Sequence, residues 1–296
     1  MRRYWVPSEC IRPTVDGAVL VHLSGDILHH IRDVCRQGLG SKFEVIAEVA
    51  INLKAAAKSP AEPPRESARE SARESARESQ ETTQACLRGV AFFVEIVQET
   101  KKESIARMIE SRVIAPLPTP HLHLALSIPR LPVLEAVVEK AVELGVTAIH
   151  PFYSDFSFVR TQTDVLDKKR SRLDRIIQSA TQQSGRGEKM DFHDAVDLKT
   201  LLTDFNREGR AQGLFAYEGS AVLSAREGIE NMRTADPREV WAFIGSEGGF
   251  SHAEVELFQS FGLKPVTLGA QVLRVETACV ATLSIIKYGF ELMRSF

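Results

Sequence analysis

Three side chains near the C-terminus have the chemistry of proton and charge handling. Glu247 lies within Gly245-Ser246-Glu247-Gly248-Gly249, and Arg274 and Glu276 lie within Leu273-Arg274-Val275-Glu276-Thr277. A carboxylate accepts a proton, and a guanidinium stabilises an anion. Around them stand Gly245, Gly248, Gly249 and Gly269, whose missing side chains let backbone come close to a ligand. Each also has a plainer reading. A glutamate at the start of a helix is favoured by the helix dipole; Arg274 and Glu276 suit an ion pair with each other or across a dimer seam; any one glycine at a strand exit is an ordinary turn residue. Other chemistries lack their parts: there is no HExxH, no GxSxG, no P-loop, and no GxGxxG with a downstream ribose-binding acid. His121 and His123 alternate onto one strand face without a third ligand, so structural roles and no metal are expected.

The elements that must position these groups follow from pattern. Val240-Trp241-Ala242-Phe243-Ile244 is an unbroken apolar run of buried-strand length, stopped by the glycines. Ser251-His252-Ala253-Glu254 reads as a capping box, so a helix starts there and ends at Gly262. After Pro265 a strand, Val266-Thr267-Leu268, runs into Gly269; a tight loop over 270–276 leads to a last apolar helix from Thr277. The two glycine-rich strand ends are expected side by side, with a third strand, Gly213-Leu214-Phe215-Ala216, reaching Tyr217-Glu218 opposite them. Upstream, His121 to Leu126, Val133 to Leu144 and Ala148 to Phe152 make a strand-helix-strand unit, followed by a helix over Lys168 to Ala180. The fold class is α/β with a parallel sheet, whose carboxyl strand ends are where ligands bind. Pattern alone gives a small-molecule pocket and no more.

The literal residues go further. Ile244-Gly245-Ser246-Glu247-Gly248-Gly249-Phe250-Ser251, Leu268-Gly269 and Leu273-Arg274-Val275-Glu276-Thr277-Ala278 resemble the closing motifs of the SPOUT RNA methyltransferases, and within them the ribosomal RNA small-subunit methyltransferase E family. Glu143-Leu144-Gly145-Val146, Pro151 and Gln183-Ser184-Gly185-Arg186 fit the same family, whereas Phe156 and Gln182 stand where it often has Arg and Glu. The resemblance implies a trefoil-knotted domain that binds S-adenosylmethionine, is completed across a homodimer, and methylates N3 of a uridine in 16S ribosomal RNA. It implies cofactor contacts from Tyr217, Glu218, Ile244, Gly245, Gly248, Gly249, Leu268, Gly269, Val272, Leu273, Thr277 and Ala278. Free uridine loses its N3 proton only well above neutral pH, so Arg274 is expected to stabilise the anion and Glu276 or Glu247 to take the proton. Arg2, Arg3, Arg32, Arg36 and Arg186 are the expected RNA contacts. Two alternatives stay open: a SPOUT enzyme acting on another rRNA base or a ribose 2′-hydroxyl, and a non-catalytic ribosome-assembly protein that binds RNA.

Length and composition agree with two domains, since 296 residues with 44% hydrophobic content suffice for two cores. Residues 1–118 are expected to form a small β-barrel, from strands at Ala18 to Leu23, Phe43 to Val49, Leu87 to Val97 and Arg112 to Ala115, and the family resemblance implies that this barrel is PUA-like and binds RNA. One helix, Asp26 to Cys35, is closed off by Gly38 and Gly40. Residues 119–296 are expected to form the second domain, the methyltransferase that the resemblance implies, after a linker stiffened by Pro116, Pro118 and Pro120. At about 55–85 the tandem Arg65-Glu66-Ser67-Ala68 repeat has no apolar stripe, and reads as a solvated, disordered insertion in a barrel loop. Four cysteines without CxxC spacing suit a reducing cytoplasm. Met1-Arg2-Arg3-Tyr4-Trp5 is followed by Pro7 and Ser8 rather than an apolar core, so no signal peptide is expected, and no apolar run reaches membrane-spanning length. A net charge of −2 requires that basic residues for RNA be clustered.

Overall fold

Apolar runs bounded by turn residues become strands in both parts of the chain. The computed structural model describes residues 3–14, 17–51, 86–159, 165–207, 209–219 and 223–293. The expected disordered insertion and Arg2 lie outside the described residues. The chain divides into two units, one made of Val6–Lys42 and Ile46–Ile114, the other of Met1–Trp5, Phe43–Val45 and Ala115–Phe296.

The N-terminal elements are β1 (Arg3–Trp5), β2 (Ile11–Pro13), β3 (Val19–Ser24), α1 (Gly25–His29), β4 (Lys42–Ile51), β5 (Cys86–Glu99) and β6 (Glu103–Val113). They form a six-stranded sheet in the order β1-β4-β5-β6-β3-β2. The expected short strand at Arg112 is the far end of a much longer one. A tight turn in which Thr100 N–H donates to Glu103 O at 2.8 Å starts β6 at Glu103, and antiparallel pairing then propagates back along β5 past two register shifts. The helix expected over Asp26 to Cys35 is continuous, but widens after α1 into a π-helical turn over His30–Val34, closed by Cys35 N–H on His30 O at 3.0 Å.

The second unit continues with β7 (His121–Ser127), α2 (Leu131–Glu143), β8 (Ala148–Tyr153), α3 (Val165–Ser184), β9 (Asp191–Phe192), β10 (Val196–Asp197), α4 (Leu198–Phe205), β11 (Ala211–Ala216), β12 (Leu223–Ser224), α5 (Ala225–Arg233), β13 (Glu239–Ile244), α6 (His252–Ser260), β14 (Pro265–Thr267) and α7 (Val275–Gly289). All its described strand pairings are parallel, in the order β10-β8-β7-β13-β11-β14-β12 with β9 beside β8. β13 explains why both faces must be covered. Val240, Ala242 and Ile244 pack with apolar residues of α2, α3, α5 and α7; Trp241 and Phe243 pack with α4 and α6. Alternate side chains point to opposite faces, so a strand apolar throughout needs helices on both.

Two expectations about this sheet are corrected. β11 runs between β13 and β14, with Phe215 opposite Phe243 and Ala216 opposite Val266, so the two glycine-rich exits are separated by one strand. And α7 begins at Val275 rather than Thr277, with Arg274 as its N-cap. Val275 is drawn into the core, 6% exposed, and Ala278 N–H already donates to Arg274 O at 2.8 Å.

His123 and His150 serve packing. His123 Nδ1 lies 3.0 Å from His150 Nε2, and both rings stack on Trp241. Burial pushes the His123 imidazole down to about 4, against an opposing pull from Glu239, and burial with the neighbouring His193 and His123 pushes His150 down too. Groups held neutral in the fold but free to protonate when unfolded stabilise fully above the unfolded pKa of about 6.5, and lose that contribution as pH falls toward their folded values. Thermal unfolding is therefore expected to show a loss of about 2 kcal/mol for each of the two imidazoles between pH 7 and pH 5, with the His150 share absent in His150→Phe. Equal losses in both proteins would refute the neutral stack.

Candidate functional site

At the carboxyl ends of β11, β13 and β14 the chain leaves a cleft open to solvent. Each strand supplies its exit. β11 gives Ala216, Tyr217 and Glu218; β13 gives Ile244, Gly245, Ser246 and Gly249; β14 gives Leu268, Gly269, Gln271, Val272 and Leu273; α7 adds Val275 and Ala278. Parallel pairing brings these exits together: Tyr217 N–H donates to Val266 O at 3.0 Å, tying the end of β11 to β14.

Two glycines are required by this shape. The loop after β13 folds back on itself, with Gly249 N–H on Ser246 O at 2.9 Å, so a side-chain carbon on Gly245 would fall 2.9 Å from the Gly249 backbone. Gly269 has φ +123°, and a carbon added there would meet nothing closer than Gln271 Oε1 at 3.8 Å. Its missing side chain leaves open space on the cleft wall. Val272, also in the lining, is 77% exposed.

Of the twelve residues expected to contact a cofactor, ten line this cleft. Gly248 and Thr277 do not. Gly248 faces the other way, where a side-chain carbon would come 2.7 Å from Phe156 Cβ, and Thr277 lies on the exposed side of α7. Sequence reasoning missed Ala216, Ser246, Gln271 and Val275; each neighbours a residue it chose, and only the backbone path selects between them.

The expected catalytic residues are not a cluster. Arg274 sits between two lining residues, exposed, its side chain making no hydrogen bond or ion pair among the described residues. Glu276 is half-buried on the first turn of α7. Glu247 is turned away from the cleft: its Oε1 accepts from Arg130 Nε at 2.9 Å and from Arg130 N–H at 3.2 Å. Burial raises its pKa, but those Arg130 bonds outweigh burial and hold it below the usual carboxylate range. A committed, acidic carboxylate is a poor proton acceptor.

Among the arginines, Arg186 corrects the expectation most clearly. It is 8% exposed, its Nη1 donates to Val142 O and Val146 O at 3.2 and 2.9 Å, and burial pushes it down to about 10. It holds the end of α2 and cannot reach a phosphate backbone. Arg3 pairs with Glu44. Arg32 bonds Glu99, Thr100 O and Ser104. Arg36 is exposed, with no hydrogen bond or ion pair among the described residues.

Residues 115–287 match the family model of the RNA methyltransferase domain. Over 178 residues, 58% of this chain and 68% of the relative, the sequence is 32% identical to the ribosomal RNA small subunit methyltransferase E of Bacillus subtilis. Over 200 residues, 67% and 78% respectively, it is 28% identical to the protein of the same name from Buchnera aphidicola. The fold is similar to that of the ribosomal RNA small subunit methyltransferase E of Neisseria gonorrhoeae solved with S-adenosylmethionine, with a TM-score of 0.70 at 20% identity over 97% of each chain. It is also similar to that of a Legionella pneumophila protein solved with the same cofactor, with a TM-score of 0.68 at 23% identity over 97% and 96% of the two chains.

Proposed function

The chain belongs to the RNA methyltransferase family, within it to the ribosomal RNA small subunit methyltransferase E proteins, and from that premise we propose that it is a cytoplasmic enzyme that methylates N3 of a uridine in 16S ribosomal RNA, using S-adenosylmethionine. The observation that carries this reading is the convergence of three strand exits on one cleft with open space beside Gly269.

The residues present fit that cofactor. Ile244, Leu268, Leu273 and Ala278 offer apolar contacts to a flat base, and strand-exit backbone offers donors and acceptors for its edge. Glu218 brings a carboxylate able to accept from ribose or amino groups. When bound, S-adenosylmethionine supplies an electrophilic methyl carbon. The chain's own work is to hold donor and acceptor in line, exclude water and manage the N3 proton. Arg274 stabilises the uracil anion from the edge of the cleft. Of the two glutamates expected to take the proton, Glu247 is committed to Arg130, which leaves Glu276.

We further read residues 1–118 as a PUA-like RNA-docking barrel in which Arg36 contacts phosphate, and residues 119–296 as a SPOUT domain. Its last helix passes through the loop after β13 to form a trefoil knot. The shared lining of the cleft by that loop and α7 supports this. A homodimer is supported by the outer stripe of α7 and its lead-in, Leu273, Thr277, Val280, Ser284 and Tyr288. Its spacing is helical, with Val280 37% and Tyr288 80% exposed. Val280→Asp is expected to give a monomer in light scattering, with weaker binding of S-adenosylmethionine in calorimetry; a dimer of unchanged size would remove α7 from the seam.

Mass spectrometry tests the reaction. Small subunits from cells lacking this protein, incubated with the purified chain and S-adenosylmethionine, are expected to gain 3-methyluridine. A 2′-O-methyl mark would move the activity to the ribose, and no mark together with no cofactor binding would favour an assembly protein.

A further inference from the structure

The segment from Ser154 to Val159 inverts the usual rule of burial. Ser154, Ser157 and Val159 point inward, with Ser157 only 2% exposed, while Phe156 and Phe158 point out, 45% and 57% exposed. A shift of one residue would bury the rings and expose the serine, as the hydrophobic effect favours. The structure forbids that shift. Ser157 Oγ lies 2.9 Å from Ser154 O and 2.7 Å from Val159 O, and accepts from Ser154 N–H at 3.1 Å. Ser154 Oγ meets Ser127 Oγ at 2.5 Å, Phe158 N–H donates to Ile128 O at 2.8 Å, and Asp155 N–H donates to Glu254 at 2.9 Å. A rigid backbone thus holds two phenylalanines in water.

Their place ties them to the cleft. Ser246 and Gly249 line it; Ser246 Oγ donates to Phe156 O at 2.7 Å, and Gly248, between them, rests against the Phe156 side chain. We infer that Phe156 and Phe158 form a stacking platform for unpaired bases of the RNA substrate, beside the wall of the cofactor cleft. The inference rests on the reading that this chain acts on RNA. Aromatic rings fixed on a stiff backbone hold bases by stacking irrespective of sequence. The surroundings select a base over a protein face. Phe156 follows Asp155, which accepts from Ser251 Oγ, and its side chain lies against the Gly248 that follows Glu247 of the Arg130–Glu247 pair, and two rings beside charges do not make the ~800 Å² per partner that a stable seam needs.

The full-length chain and unmodified small-subunit RNA test this by filter binding. Phe156→Ala and Phe158→Ala are each expected to weaken RNA binding about tenfold, Leu at both positions to leave it weak, and Trp at both to restore it. Affinity for S-adenosylmethionine and the oligomeric state are expected to stay as in the parent. Wild-type RNA affinity in the Leu variant overturns stacking; a monomeric Ala variant in light scattering assigns the rings to a seam between copies instead. If the parent chain methylates nothing, the enzyme reading fails, while the ring dependence of RNA affinity still decides the platform.

Discussion

Arg274→Ala is expected to slow single-turnover methyl transfer about a hundredfold or more while leaving the affinity for S-adenosylmethionine nearly unchanged. The reason is that this arginine breaks two local rules at once. Arg274 is the N-cap of α7 and makes no side-chain capping bond, where Ser, Thr, Asp or Asn would stabilise the helix by roughly 1 kcal/mol. It also sets a cation at the positive end of a helix dipole, where an anion is favoured. No carboxylate among the described residues compensates it. A residue that costs stability and has no partner in the free protein fits a partner that comes with the reaction, and a uracil losing its N3 proton is such an anion. Its neighbours Leu273 and Val275 line the cleft, so the side chain is near the reacting groups without forming the pocket. Arg274→Ser makes the argument sharper: it supplies a proper cap, so it is expected to raise the melting temperature while losing the same activity. Full single-turnover rates in either variant would remove Arg274 from the chemistry.

What could be read from the sequence was what short-range rules determine. The apolar run of β13, the capping box of Ser251 and Glu254, and the glycine exits all follow from residues a few positions apart, and the structure contains them with the bonds expected. Contacts between distant residues were not readable. Nothing local says that β11 enters between β13 and β14, that Arg130 reaches Glu247 across 117 positions, or that Arg186 is spent on the carbonyls of Val142 and Val146. An arginine in a loop looks the same in sequence whether it faces solvent or a helix end. A hint did exist for α5, where Ser224 and Glu227 form the same capping box as Ser251 and Glu254. The cleft itself was found through glycines, which mark where backbone needs room, and was missed where the lining is ordinary side chain, as at Val275.

Gly269 allows backbone strain and lost space to be separated. With φ at +123°, any side chain at Gly269 is strained, at a cost of about 1–3 kcal/mol. Alanine pays that and little else, because its Cβ would meet only Gln271 Oε1 at 3.8 Å. Valine pays the same strain and adds two methyl groups to a wall shared with Leu268 and Val272. Gly269→Ala and Gly269→Val are therefore expected to lose similar melting temperature, while valine alone weakens S-adenosylmethionine by about a hundredfold, near the ~3 kcal/mol ceiling for added bulk in a packed site. Comparing the two cancels the unfolding contribution, which a single variant cannot do. If calorimetry gives both variants the parent's dissociation constant, the cofactor binds elsewhere, and the convergence of three strand exits is a feature of the fold without the function assigned to it. If alanine weakens binding as much as valine does, the left-handed backbone at Gly269, rather than the space beside it, is what the cofactor reads, and the contact moves from the apolar wall to the Gly269 peptide group.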